Sequence, residues 1–176
     1  ITASLAYPIT ATVPRLETRA ASGLGNETSL NALDWMEYAT YKIPGGPLIS
    51  WSDDLAAIEW FNENVEGSPV IVEASIGPYR GNGSRFSIAT GLPAVLGWER
   101  HEQQQRYPAD SAARMRAVQA FYQTDSVEEK IDFLLRYGVE YVIVGDLERY
   151  GVLGENENAP YSTEAGIAAI ESMVGN

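Results

Sequence analysis

The sequence predicts an α/β fold, a layered domain with a mainly parallel central sheet flanked by helices. Two amphipathic helical segments are each followed by a short apolar run, at residues 70–72 and 139–144. Further helical segments remain to cover a sheet. Unbroken apolar runs are typical of strands covered on both faces, and such strands occur mainly in parallel sheets. A helix followed by a buried strand, twice in one chain, indicates right-handed crossover units.

The first unit begins near Ser52, which the sequence predicts as a helix N-cap. Asp53 and Asp54 follow at the positive end of the helix dipole. Gly67 is expected to end this helix before the first strand. The residues expected on its buried face are Leu55, Ile58, Phe61 and Val65.

The second unit has a capping box formed by Ser126 and Glu129, and Gly138 ends its helix. The buried stripe of that helix is expected to be Ile131, Leu134 and Leu135. Asp110 or Ser111 caps a further helix that carries Met115, Val118, Phe121 and Tyr122. Ser162 or Thr163 caps a last helix, with Ile167, Ile170 and Val174 directed inward.

Three or four strands are expected in the sheet. Besides the two apolar runs, the candidates are residues 48–51, 86–89 and 94–96. Frequent proline and glycine predict an irregular N-terminal wrap over residues 1–50, with at most one short helix near Leu33 and Met36. We therefore expect one domain over residues 1–176, with the α/β core at 51–176.

Charge and composition narrow the function classes. The chain has 176 residues, with 12 Lys and Arg against 24 Asp and Glu, so its formal net charge is −12. A nucleic-acid partner is not expected, because the arginines are scattered among acids and form no basic patch. Cysteine is absent and His101 is the only histidine, which excludes thiol chemistry and metal sites built on Cys or on several His. We expect no metal or other cofactor in this chain.

Polar residues follow both apolar runs, where ligands bind in open α/β sheets. Glu73 and Tyr79 follow the first run, and Asp146, Glu148 and Arg149 follow the second. The alternative is that Glu73 and Asp146 only cap local backbone. The glycine-rich loop around residues 77–85 matches neither a P-loop nor a dinucleotide fingerprint, and the sequence favours a flexible turn there.

The densest polar stretch spans residues 98–106. It lacks the second histidine of the H-E-x-x-H zinc-protease motif, because position 105 is Gln. The sequence has no G-x-S-x-G elbow that would present a serine to His101. A structural or surface role is therefore the alternative to a catalytic role for this histidine. Trp98 is a candidate stacking platform for a sugar ring or, alternatively, the packing residue of a tight connection.

The run RFSIATGLPAVLGWERHEQQQR at residues 85–106 resembles the extracytoplasmic C-terminal region of a family of multi-pass prokaryotic membrane proteins with a YYY signature. Stretches within residues 33–149 agree with it in order, including LDWMEY, FYQTD and YGVEYVIVG. The family is similar to membrane glycosyltransferases of the GT-C type, which use lipid-phosphate-linked sugars. The motif positions that match are Thr90, Gly91, Trp98, His101, Glu102 and Arg106.

The resemblance implies a fragment of a larger membrane protein, lying on the extracytoplasmic face of the cell membrane. The catalytic acids of GT-C enzymes lie between transmembrane helices, so this fragment is not expected to be catalytic alone. Its expected partners are the transmembrane portion of the same polypeptide and a glycan or lipid-linked sugar. The full-length protein could use a divalent metal.

Our leading expectation is thus an accessory domain that shapes the donor or acceptor site of a membrane glycosyltransferase. A carbohydrate-binding or partner-docking module without a catalytic role is one alternative, and a free-standing small-substrate α/β enzyme is another. The candidate ligand-binding residues are Glu73, Tyr79, Arg85, Thr90, Trp98, His101, Glu102, Arg106, Asp146, Glu148 and Arg149.

Overall fold

The computed structural model describes residues 10–12, 31–77, 82–152 and 159–174. They form a mixed α/β structure. A 3-10 helix at Asp34–Glu37 precedes the strands β1 (Thr40–Lys42) and β2 (Leu48–Ser50). The remaining elements in chain order are α1 (Ser52–Asn64), β3 (Val70–Val72), α2 (Arg85–Thr90), α3 (Glu99–Gln105), α4 (Pro108–Gln123), α5 (Val127–Tyr137), β4 (Val139–Val142), α6 (Asp146–Tyr150) and α7 (Glu164–Ser172).

The parallel sheet is smaller than expected. Among the described residues, β3 pairs in parallel with β4, while β1 and β2 form a separate antiparallel hairpin. The expected strand at 94–96 contributes only one bridge, between Ala94 and Ile71. The preceding residue, Pro93, has no N–H group to donate to a neighbouring strand. Its carbonyl oxygen accepts a hydrogen bond from the N–H of Ile71 at 2.9 Å. The candidate strand at 48–51 is present as β2, but it pairs with β1 in this hairpin and not in the parallel sheet. β1 lies where we expected irregular structure.

Residues 86–89, expected as a strand, are helical and belong to α2. The cause is tertiary, because the Glu73 carboxylate accepts hydrogen bonds from the N–H groups of Phe86 and Ser87 and so caps the start of the helix. Gly91, at φ +74°, ends it in the left-handed conformation that favours glycine.

The parallel pair separates two hydrophobic clusters. Ile71 packs on one side, with residues of the hairpin and α1, and Val72 packs on the other side, with α4, α5 and α7. Neighbouring residues of a strand point to opposite faces, so both faces of β3 are covered. The expectation of a strand covered on both faces is confirmed for β3, whereas β4 is only partly buried and its Glu140 is exposed.

Two expected helix caps are confirmed and two are wrong. The side chains of Ser126 and Thr163 accept the expected backbone N–H groups at the starts of α5 and α7. Ser52 is instead the first residue of α1, and its hydroxyl lies 2.9 Å from that of Ser50. Helix α4 begins at Pro108, earlier than Asp110, because proline suits the first helical turn.

The buried stripe of α5 is also displaced from the expected one. Leu135 is 76% exposed and Ile131 is exposed, whereas Lys130 and Phe133 are buried. Phe133 stacks on Phe121, with ring centroids 4.6 Å apart, and this contact sets the rotation of the helix. Val174 lies beyond α7 and is exposed rather than directed inward.

No helix in the described ranges is both long enough and apolar enough to cross a membrane.

Candidate functional site

A buried ion cluster joins three elements of the fold around Arg85, the first residue of α2. The guanidinium donates to both carboxylate oxygens of Glu148, at 3.0 and 2.9 Å, and to Oδ1 of Asp54 at 2.8 Å. Asp54 lies in α1 and Glu148 in α6, and all three side chains are at least nine-tenths buried. The two-pronged contact with Glu148 uses the planar geometry that distinguishes Arg from Lys.

Glu148 also ties together the ends of the two parallel strands. Its oxygens accept the N–H of Ala74, just beyond β3, at 3.0 Å and the N–H of Gly145, just beyond β4, at 2.9 Å. Burial alone would raise the pKa of Glu148, but Arg85 and the two backbone donors outweigh it and lower that pKa below its ordinary value. Glu148 is therefore a buried anion that holds the sheet edge together.

Glu73 is the second buried carboxylate at this edge. Both of its oxygens accept α2 backbone N–H groups at 2.9 Å. Burial raises the pKa of Glu73, and those N–H donors and Arg85 only partly offset the effect. The sequence left two roles open for Glu73, ligand binding and capping of local backbone. Glu73 caps backbone, but that backbone belongs to α2 and is not local in sequence.

An open cleft lies directly above the ion cluster. Its volume is about 470 Å³, and it runs between α1 and the end of β4. A Cβ atom on Gly145 would lie 3.0 Å from both Nη2 of Arg85 and Oδ1 of Asp54, so this glycine separates the cleft from the cluster. The lining residues used below are Asp53, Asp54, Trp60, Asp146 and Arg149.

The cleft combines an aromatic wall with carboxylates. Trp60 is 50% exposed and packs edge-on against Phe61 at 5.4 Å, which fixes the indole at the mouth. Asp53, from the same helix, is exposed, and Asp146 is half-buried. Arg149 is the cation among the described lining residues, and it pairs with Glu171 at 2.6 Å. Such a surface can accept hydrogen bonds from hydroxyl or ammonium groups and offers a ring face for stacking.

The expected residues separate into groups. Asp146 and Arg149 line the cleft, whereas Glu73, Arg85 and Glu148 form the buried support beneath it. Tyr79 lies outside the described residues. Trp98, His101, Glu102 and Arg106 do not line the cleft.

The polar stretch of α3 occupies its own surface. The Trp98 indole N–H donates to the carbonyl of Gly83 at 3.1 Å, and the exposed His101 ring lies 6.3 Å from the indole. Glu102 accepts the N–H of Gly97 at 3.1 Å and pairs with Arg106 at 3.2 Å.

Thr90 is engaged with its own helix. Its hydroxyl donates to the carbonyl of Phe86 at 2.7 Å and accepts the N–H of Leu92 at 3.2 Å. Among the described residues, the α3 surface with His101 is therefore separate from the cleft at the end of β4.

Sequence reasoning missed the contribution of α1. Asp53 and Asp54 were interpreted only as acids at a helix start, and Trp60 was not singled out. A usable signal exists, since Asp53, Ala57 and Trp60 are spaced i, i+4, i+7 and therefore share one helix face. An acid and a tryptophan on the outer face of a helix beside a strand end indicate a lined cleft.

No cluster of three or more His, Asp or Glu that could hold a metal occurs in the part of the chain that the structure describes. Comparison of the chain with family models, with curated proteins and with solved structures found no match.

Proposed function

We propose that the chain is a glycan-binding accessory domain, and that the cleft between α1 and β4 receives the sugar. The observation that carries this proposal is the half-exposed indole of Trp60 in one cleft with Asp53, Asp54 and Asp146. Sugars present apolar C–H faces and a rim of hydroxyl groups, and an aromatic plane beside carboxylates matches both features.

The size and support of the cleft agree with this function. Its volume of about 470 Å³ falls in the range of small-molecule sites. The ion cluster below it locks α1, α2 and α6 together, so the lining residues are held before a ligand arrives. A preformed site lowers the entropy lost on binding.

Binding rather than turnover fits the buried carboxylates. Glu148 accepts hydrogen bonds from Arg85, Ala74 and Gly145, and Glu73 accepts two from the start of α2. Both groups are occupied in holding the fold, and neither lines the cleft. An accessory role beside a catalytic membrane portion, as the family resemblance implies, agrees with this arrangement.

In the full-length protein, the domain would lie on the extracytoplasmic face of the membrane and present a sugar, free or lipid-linked, to the transmembrane portion. This placement rests on the resemblance of residues 85–106, and of further stretches within 33–149, to the YYY-signature family.

Titration calorimetry of the chain with tetrasaccharides tests the binding proposal. Trp60→Ala is expected to weaken binding by about 5- to 150-fold, which corresponds to about 1–3 kcal/mol for a lost aromatic stacking contact. Trp98→Ala is the matched control, because that indole lies outside the cleft. Unchanged affinity in Trp60→Ala, with both variants folded by circular dichroism, would contradict the proposal.

A second candidate function, partner docking, is favoured by one observation. Six consecutive residues, 141–146, line the cleft, and the first two belong to β4. Side chains along a strand alternate in direction, so the backbone edge at the end of β4 faces the cleft. Among described strands, β4 pairs only with β3. An extended peptide could therefore add to this edge. Binding of extended peptides in preference to glycans would favour this second function.

A further inference from the structure

The cleft carries an excess of negative charge. Three of its lining side chains are carboxylic acids, those of Asp53, Asp54 and Asp146. The lining cation Arg149 is already paired with Glu171. Beneath the floor, Arg85 is shared between Asp54 and Glu148, so one cation faces two carboxylates. A half-enclosed acidic cleft of this kind attracts cations and repels phosphate groups.

Asp54 supplies a buried acceptor to this cleft. The residue is 6% exposed, yet it belongs to the cleft lining. Oδ1 accepts a hydrogen bond from Arg85 at 2.8 Å, and the carboxylate belongs to the cleft lining, so its charge acts on both the cluster and the cleft.

Trp60, the aromatic wall of the cleft, also favours a positively charged ligand. An ammonium group over the face of an indole gains cation–π attraction, which grows as the site excludes water. Trp60 therefore adds to the attraction of the carboxylates for a cation while still offering a surface for a sugar ring.

We propose that the cleft selects sugars with a free ammonium group, that is, unacetylated amino sugars, over neutral and anionic sugars. This inference rests on the proposed glycan-binding function and adds the chemical class of the ligand. The ammonium would contact Asp54 and Asp146, and the ring would stack on Trp60.

The protonation behaviour of Asp54 agrees with this inference. Burial raises the pKa of Asp54, and Glu148 and Asp146 add to the effect, while Arg85 only partly offsets it. A bound ammonium would lower that pKa, so binding should release protons from the protein at mildly acidic pH. Calorimetry in two buffers of different ionisation enthalpy measures this release.

The preference for amino sugars is tested with three compounds: a neutral tetrasaccharide, a cationic tetrasaccharide and a cation without sugar rings. Cellotetraose has the ring and hydroxyl groups without charge, the fully deacetylated chitosan tetramer has both, and spermine has charge without rings. The chitosan tetramer is expected to bind at least tenfold more tightly than either of the others at low ionic strength. The preference should shrink in high salt, because the cleft is open to solvent.

Asp146→Asn is the informative variant, because it removes a cleft charge without touching Arg85. It is expected to weaken chitosan-tetramer binding by about tenfold, as loss of a contacting charge pair does, and to weaken cellotetraose binding by a smaller factor, because the amide oxygen of Asn still accepts a hydrogen bond from a hydroxyl group. Glu59→Gln, an exposed position on α1 outside the cleft lining, is the matched control and should change neither.

The outcomes separate the two proposals. Equal affinity for cellotetraose and the chitosan tetramer would overturn the inference about charge and sustain glycan binding. Spermine binding as tightly as the chitosan tetramer would overturn the sugar assignment and with it the amino-sugar class. Absence of binding by all three compounds would overturn both proposals.

Discussion

Arg85 is the residue on which the cleft floor depends. Its buried charge is matched by Glu148 and Asp54, and Glu148 in turn holds the ends of β3 and β4. Burial disfavours the charge on Arg85, but the two carboxylates outweigh it and raise the pKa of the guanidinium. Removing either partner would leave a buried charge without compensation, which costs far more than the pair contributes.

Arg85→Met is therefore expected to lower the free energy of unfolding by about 3–5 kcal/mol. Glu148→Gln in that background should recover part of the loss, because it removes the uncompensated anion and its amide oxygen still accepts the N–H of either Ala74 or Gly145. Arg106→Met, which breaks the exposed pair with Glu102, should cost less than about 1 kcal/mol. Urea denaturation measures the free energy of unfolding of all three variants. Equal losses for Arg85→Met and Arg106→Met would contradict the role of Arg85 in the cleft floor.

Lys130 is a second charge inside the fold. Its ammonium donates to the carbonyl of Phe121 and lies 4.8 Å from that ring. Phe121 is in the last turn of α4, where carbonyl groups lack helical partners and a cation is favourable. Burial lowers the pKa of Lys130 to about 8.

The free energy of unfolding is accordingly expected to rise with pH above about pH 8. In that range the unfolded chain, with an ordinary lysine pKa of 10.5, binds more protons than the folded chain. The rise should reach about 1–2 kcal/mol by about pH 9.5, and Lys130→Met should abolish it. Guanidinium denaturation across this range is the measurement, and equal slopes for the two proteins would contradict the assignment.

At the scale of elements, helix ends were the most predictable features when their caps were local. Ser126 and Thr163 cap helices as expected because the hydroxyl and the N–H groups are three residues apart. Helix α2 was not predictable, because its cap is Glu73, thirteen residues away from Phe86. The stripe of α5 was displaced for a similar reason, since stacking on Phe121 outweighed the local apolar pattern.

The contact between α4 and α7 depends on Gly166. A Cβ atom there would lie 2.2 Å from the carbonyl oxygen of Tyr122, which is backbone and cannot rotate away. Gly166→Ala should therefore destabilise the fold by about 1–3 kcal/mol, although alanine favours a helix by about 1 kcal/mol. The helices must separate to admit the methyl group.

Ala168→Gly provides the comparison on the same helix. Ala168 is exposed, so only helix propensity acts, and a loss of about 1 kcal/mol is expected. Thermal melting compares the two variants. A stabilised Gly166→Ala protein would contradict the close contact between α4 and α7.

For the whole molecule, the sequence predicted the parallel pair and the polar strand ends, because both follow from local apolar runs. Glu73, Asp146, Glu148 and Arg149 do lie at that edge. The cleft itself was not predicted, since α1 reaches it through tertiary packing that periodicity does not encode. The α3 stretch was a candidate site because of its density of polar groups. Those groups form hydrogen bonds and ion pairs largely with one another and with nearby backbone.

The central claim is that the cleft between α1 and β4, and not the surface of α3, is the ligand site. A ¹H–¹⁵N NMR titration of the chain with the deacetylated chitosan tetramer tests it most directly. Binding in the cleft should shift the Trp60 indole and the amides of residues 142–146 and leave the Trp98 indole unshifted. Shifts confined to the Trp98 indole and the amides of residues 98–106 would contradict it.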